Sequence, residues 1–123
     1  MKRWLMGLGI ALLTGCPVAE ANFTCGGAIT YLGVNSSSSL YVSMGPFGVW
    51  LICNLSSTSS NGGTSVTVDS CKAWYAALLT QKALGQSATL YFTSTANSNN
   101  GAECTAIGTW TSPSPLPYHM DYQ

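Results

Sequence analysis

Four cysteines, Cys25, Cys53, Cys71 and Cys104, follow a stretch that reads as an export signal, and they limit the folds open to this 123-residue chain more than any other feature. In residues 1–21, Lys2 and Arg3 form a basic start and Trp4 to Leu13 an apolar stretch. Ala19-Glu20-Ala21 is a small-x-small cleavage site, with Pro17 breaking the helix upstream. Cleavage after Ala21 makes Asn22 the first mature residue and removes the fifth cysteine, Cys16. An even set of cysteines in an oxidising compartment, secreted or periplasmic, reads as two disulfides. Leu13-Thr14-Gly15-Cys16 also fits a lipoprotein pattern in which Cys16 is acylated, although Pro17 is an awkward neighbour for that route. Both routes leave the same four cysteines, so parity does not separate them.

Residues 22–123 are expected to form a single disulfide-bonded domain, large enough to bury roughly 60 to 70% of the surface its unfolded chain exposes. The apolar part of the leader is shorter than the ~20 residues of a membrane-spanning helix, and no later run approaches that length. After residue 21 the charged residues are Lys72, Lys82, Asp69, Glu103 and Asp121, with no arginine. Nucleic acid and anionic lipid are recognised through clustered Lys and Arg, so both are disfavoured as partners. A surface of Ser, Thr, Asn and Gly suits an exported protein that meets glycans or other proteins.

Apolar runs alternate with turn-forming clusters at the spacing of short strands. The pattern predicts strands over 28–34 and 40–44, the second with Leu40, Val42 and Met44 on one face and Tyr41 and Ser43 on the other. The polar run 35–39 is the hairpin loop between them. Residues 49–55 form a third strand, apolar on both faces and therefore expected to be central. A Ser-rich loop follows, with a tight turn at Asn61-Gly62 and a brief extension of the sheet through Val66 and Val68. A helix is then capped by Asp69 or Ser70 and stopped by Gly85, its apolar stripe being Cys71, Trp74, Tyr75, Leu78 and Leu79, with Lys72, Thr80 and Gln81 pointing elsewhere. A fourth strand covers 88–93, a polar loop 95–101, and a fifth strand, weakened by Gly108, covers 105–111. Pro113, Pro115 and Pro117 hold an extended connector before a short closing strand with Tyr118, Met120 and Tyr122.

The fold class is mainly β with one α-helix: a small five- to six-stranded OB-like Greek-key barrel, the helix lying between strands 3 and 4. The stretch from Cys71-Lys72-Ala73-Trp74-Tyr75 through Leu78-Leu79, then Leu84-Gly85-Gln86-Ser87-Ala88-Thr89-Leu90, resembles small exported bacterial proteins related to toxin binding subunits of the subtilase cytotoxin B type. The resemblance covers about a fifth of the chain and implies a pentameric ring of subunits that binds cell-surface glycans. The cysteines are placed differently, and no glycan-contact residue carries over.

Four cysteines allow three connectivities. The favoured one joins Cys53 to Cys71, tying the third strand to the helix start, and Cys25 to Cys104, tying the beginning of the domain to the last loop. No C-x-x-C pair suggests a redox or metal site, and no metal or cofactor is expected. His119 and Asp121 share a strand face, yet no nucleophile motif accompanies them, and Glu103 and Asp69 lack carboxylate partners, so the chain reads as a binding module and not an enzyme. Candidate ligand-binding residues are the aromatics Tyr41, Tyr31, Trp50, Tyr91 and Trp110, because the apolar C–H faces of sugar rings stack on such side chains. Tyr41 is the clearest of these for exposure, since Leu40, Val42 and Met44 claim the inward face. A monomeric accessory or inhibitor protein, or an envelope lipoprotein anchored through Cys16, is the alternative.

Overall fold

A computed structural model describes residues 22–93 and 102–122. The leader, with the expected cleavage site and Cys16, and the polar loop 95–101 lie outside the described residues. In chain order the elements are β1 (Phe23–Val34), β2 (Ser39–Met44), β3 (Trp50–Asn54), β4 (Ser59–Asn61), β5 (Thr64–Val66), α1 (Val68–Ala83), β6 (Ser87–Phe92), α2 (Ala102–Ala106) and β7 (His119–Tyr122). Five strands form one antiparallel sheet in the order β3-β2-β1-β6-β7, and β4 and β5 form a separate hairpin. The sheet is not closed: β3 and β7 are its two ends. The helix falls between the third and fourth strands of this sheet, with the β4–β5 hairpin inserted in the preceding loop.

Strand β1 is central because it is long and bends through a register shift between Ile29 and Tyr31. Its first half pairs with β6, from Phe23 opposite Phe92 to Ala28 opposite Ser87, and its second half with β2, from Ile29 opposite Met44 to Val34 opposite Leu40. The apolar β3, expected at the centre, stands at the edge. Its open side is covered instead by a later segment: the Val49 carbonyl accepts from Trp110 N–H at 2.6 Å, and Leu51 N–H donates to the Thr111 carbonyl at 2.9 Å. An edge strand covered in this way can be apolar on both faces.

The core is built from alternate residues of the sheet. Leu40, Val42, Met44, Trp50, Ile52, Leu90 and Phe92 point inward and are wholly buried, and α1 covers them with Cys71 and Leu78. Phe23 stacks on Phe92 with ring centroids 4.9 Å apart, and Trp50 packs between Phe47 and Phe92. Helix α1 differs from expectation in two details. Its cap is Thr67, whose hydroxyl accepts from the Ser70 backbone N–H at 3.2 Å, so Asp69 sits inside the first turn. Gln81, three residues after Leu78 and thus on the same face, is 3% exposed, whereas Leu79 is 46% exposed. Gly85, at φ 67°, ends the helix with the paired bonds Gly85 N–H to Lys82 and Gln86 N–H to Gln81, the Schellman arrangement.

The four cysteines are joined as Cys25–Cys104 and Cys53–Cys71, bridges that span 79 and 18 residues of sequence. Two such bonds belong to a non-reducing environment. The fifth strand expected over 105–111 does not form. Cys104, tied to β1, lies in the short helix α2, and only Thr111 makes a bridge, parallel to Trp50. Val68 likewise begins α1 and does not extend the sheet.

Asn61 fixes the proline-rich connector to the β4–β5 hairpin. Its side-chain amide donates to the Pro113 carbonyl at 3.1 Å, and its own carbonyl accepts from Leu116 N–H at 3.2 Å. Gly62, at φ 61°, has no room for a side chain, since a Cβ there would stand 2.6 Å from Pro115 Cα. Gly62→Ala combines left-handed strain with a backbone clash and should lower stability by about 2 to 3 kcal/mol, read as a fall in thermal midpoint. An unchanged midpoint would show that the connector is not held against this turn.

Candidate functional site

The five aromatic candidates divide into three groups. Trp50 is not a surface residue: β3 turns it inward with Ile52, and it is wholly buried. Among the described residues its indole Nε1 has no hydrogen-bond partner. Tyr91 belongs to the β6–β7 end of the sheet. Tyr31, Tyr41 and Trp110 come together on the outer face of β1 and β2.

That convergence follows from local structure. On β2 the inward residues alternate with Tyr41, and on β1 Tyr31 also faces out. Gly33 lies directly opposite Tyr41, and the Tyr31 ring leans across it: a Cβ at position 33 would lie 2.7 Å from the Tyr31 hydroxyl. The missing side chain is therefore the seat of the ring. Gly33→Ala should move the Tyr31 ring while leaving the fold intact, changing the Tyr31 to Trp110 NMR contacts but the thermal midpoint by only a few degrees.

Trp110 completes the cluster from the loop that precedes β7. Its ring is 5.5 Å from that of Tyr31 in an edge arrangement and 5.6 Å from that of Tyr41. It is nevertheless 60% exposed, and its backbone lies at φ 57°, a left-handed conformation that bulky residues rarely adopt. Three contacts impose that geometry: the Trp110 and Leu51 backbone bonds on β3, and the bond from Val49 N–H to the Thr109 hydroxyl at 3.1 Å. Gly48 allows the loop this close, since a Cβ there would stand 3.0 Å from Thr109 Cα. Among the described residues, no side chain takes up the Tyr31 or Tyr41 hydroxyl. No charged residue occurs in β1, β2, β3 or the 107–111 segment. The result is a neutral, half-exposed aromatic platform with free hydroxyls at its margin.

The β6–β7 end of the outer face has a different character. Tyr91 hydroxyl donates to Asp121 Oδ2 at 2.7 Å, and His119 Nε2 lies 2.7 Å from Asp121 Oδ1. The rings of His119 and Tyr118 pack edge-on against Tyr91, and Asn22 donates to the Tyr118 hydroxyl at 3.2 Å. The bond from Tyr91, and secondarily that from His119, holds the Asp121 carboxyl below its ordinary range, while the same bond raises the Tyr91 hydroxyl. Because the folded-state value is depressed, the contribution of Asp121 is complete above the ordinary carboxylate pKa and is lost as pH falls through the lowered one. Tyr91→Phe should move the Asp121 titration upward, toward the unperturbed value, as followed by NMR at its carboxyl carbon. A midpoint that stays put would assign the shift to something other than this bond.

The described residues contain no group of three or more His, Cys, Asp or Glu side chains placed to hold a metal ion. No described helix is long and apolar enough to cross a membrane. The sequence signal for this site was the alternation on β2, which marked Tyr41 as outward. The signal missed was Gly33, because a glycine inside a strand does not announce that a neighbouring ring lies over it. Compared with protein-family models, curated proteins and solved structures, the chain matches none.

Proposed function

We propose that the chain is an exported, non-enzymatic binding module that takes a sugar unit on Tyr31, Tyr41 and Trp110. The observation that carries this reading is Trp110, an exposed indole held in a strained backbone conformation above two outward-facing tyrosines. Strain of this kind is kept where the surroundings over-determine it, and it clusters at ligand-binding positions. A pyranose presents an apolar C–H face to such rings and hydroxyls to the Tyr31 and Tyr41 oxygens. The lack of charge on the elements that build the platform favours a neutral sugar over a sialylated or sulfated one.

The strand plan supports the same reading. The main-sheet strands lie in the order third-second-first-fourth-fifth, with a helix between third and fourth, an order compatible with an OB plan left open between its third and fifth strands. OB barrels bind oligosaccharides on the face of strands 2 and 3 and through the loop between strands 4 and 5, and Tyr41 and Trp110 occupy those positions here. The leader and the two disulfides suit a protein that works outside the cytoplasm. His119 and Asp121 pair at the sheet surface, and among the described residues no serine or cysteine is seen bonded to the His119 ring.

The test is a glycan array probed with the mature chain beginning at Asn22, with Trp110→Ala alongside. Binding to neutral terminal sugars that disappears in the variant is expected. An array without signal, or signal that survives in Trp110→Ala, would turn the question to a protein partner and the accessory or inhibitor role.

A further inference from the structure

Strand β7 has one neighbour, β6, and among the described residues nothing pairs with its other edge. The opposite edge of the sheet is treated differently, since Trp110 and Thr111 cover β3. An exposed edge is a template for strand addition. Beside it the inward side is also open: Tyr122 is 61% exposed, and a groove of about 400 Å³ runs between it and Ala73, Ala76, Ala77, Thr80 and Gln81 of α1. We infer that this edge pairs with the same edge of a second copy of the chain, antiparallel about a twofold axis at Met120.

The register follows from side-chain chemistry. Residues directly opposite one another in an antiparallel pair share a face of the sheet. His119 and Asp121 point outward and Met120 inward, so only registers that keep this parity continue the sheet. With Met120 opposite Met120, His119 of each copy faces Asp121 of the other. An imidazolium, donating through both ring nitrogens, then meets a carboxylate twice, extending the intrachain bond between His119 and Asp121 into a closed ring of four side chains. Sliding by two residues in either direction sets Asp121 against Asp121 or His119 against His119, which removes both pairs. A second copy is thus chosen over an unrelated strand because the edge is complementary to itself.

The experiment is sedimentation velocity over a concentration series on the mature, disulfide-bonded chain, on His119→Glu, on Asp121→Lys, and on an equimolar mixture of the two variants. The wild type should form dimers. Each variant alone places like charges, or donors, opposite one another and should weaken dimerisation about tenfold. The mixture should recover it, because the introduced carboxylate of one variant then faces the introduced ammonium of the other, and the retained Asp121 faces the retained His119. Recovery in the mixture also shows that each variant is folded. The inference is overturned if the wild type stays monomeric, if it assembles in multiples of five, if both variants dimerise like the wild type, or if the mixture fails to recover. Protection of β7 amides from hydrogen exchange by an unrelated extended peptide, with the chain itself monomeric, would assign the edge to a different occupant.

Discussion

Trp110→Gly should weaken sugar binding by a factor of roughly 30 or more and leave stability within about 1 kcal/mol of the wild type, a few degrees in thermal midpoint. Two effects on the fold oppose each other. Glycine adopts the φ 57° conformation without the ~1 to 2 kcal/mol that a residue with a Cβ loses there. Against this, the variant gives up edge contacts to Tyr31 and Tyr41, each worth about 0.5 to 1.5 kcal/mol and here at the lower end because the ring is largely exposed. No such offset exists for the ligand. Losing the central indole of a platform costs about 2 kcal/mol or more in affinity, a factor of roughly 30. Trp110→Ala keeps the strain and loses the ring, so it should be the less stable of the two and equally poor at binding. A Trp110→Gly protein that melts far earlier while still binding would make Trp110 a structural plug.

Removing the Cys25–Cys104 bridge should be the most damaging single change to the fold. A cross-link stabilises mainly by restricting the unfolded chain, and its effect grows with the loop it closes. The span of 79 residues corresponds to about 4 to 5 kcal/mol, and the 18 residues closed by Cys53–Cys71 to about 3. Domains of this size are stable by about 5 to 15 kcal/mol, so the longer bridge accounts for a large part of the whole. Cys25→Ser with Cys104→Ser should therefore lose more in denaturant midpoint than Cys53→Ser with Cys71→Ser. It should also weaken binding, because α2 leads directly into the segment that carries Trp110. The reverse ranking would mean that the unfolded chain is already restrained near its ends.

Much of this was legible where the signal is local. Alternation placed β2 with Tyr41 outward, helical spacing with Gly85 placed α1, and Asn61-Gly62 marked the hairpin turn. What escaped depends on partners distant in sequence. Apolar residues on both sides of β3 look like a central strand, and only the contact with Thr109 to Thr111 explains them at an edge. Residues 105–111 have the composition of a strand, but Cys104 is fixed to β1 and the backbone leaves α2 through a left-handed Trp110. The closed barrel was an extrapolation from strand order alone. Closure needs β3 to reach β7, and β3 meets the connector before β7 instead. At the site, Tyr31, Tyr41 and Trp110 were each nameable from type, whereas their meeting depended on that same connector, and Trp50 was lost to the core by strand parity.

The central position of β1 bears on the order in which such a chain can fold. The first strand to emerge finds its β2 neighbour at once but waits for β6, and the Cys25 thiol waits for Cys104, until nearly the whole polypeptide has been delivered. A nascent chain with one bare edge of its middle strand cannot finish folding from its N-terminus. Its sheet and its longer disulfide are therefore completed only once β6 and the segment carrying Cys104 are present.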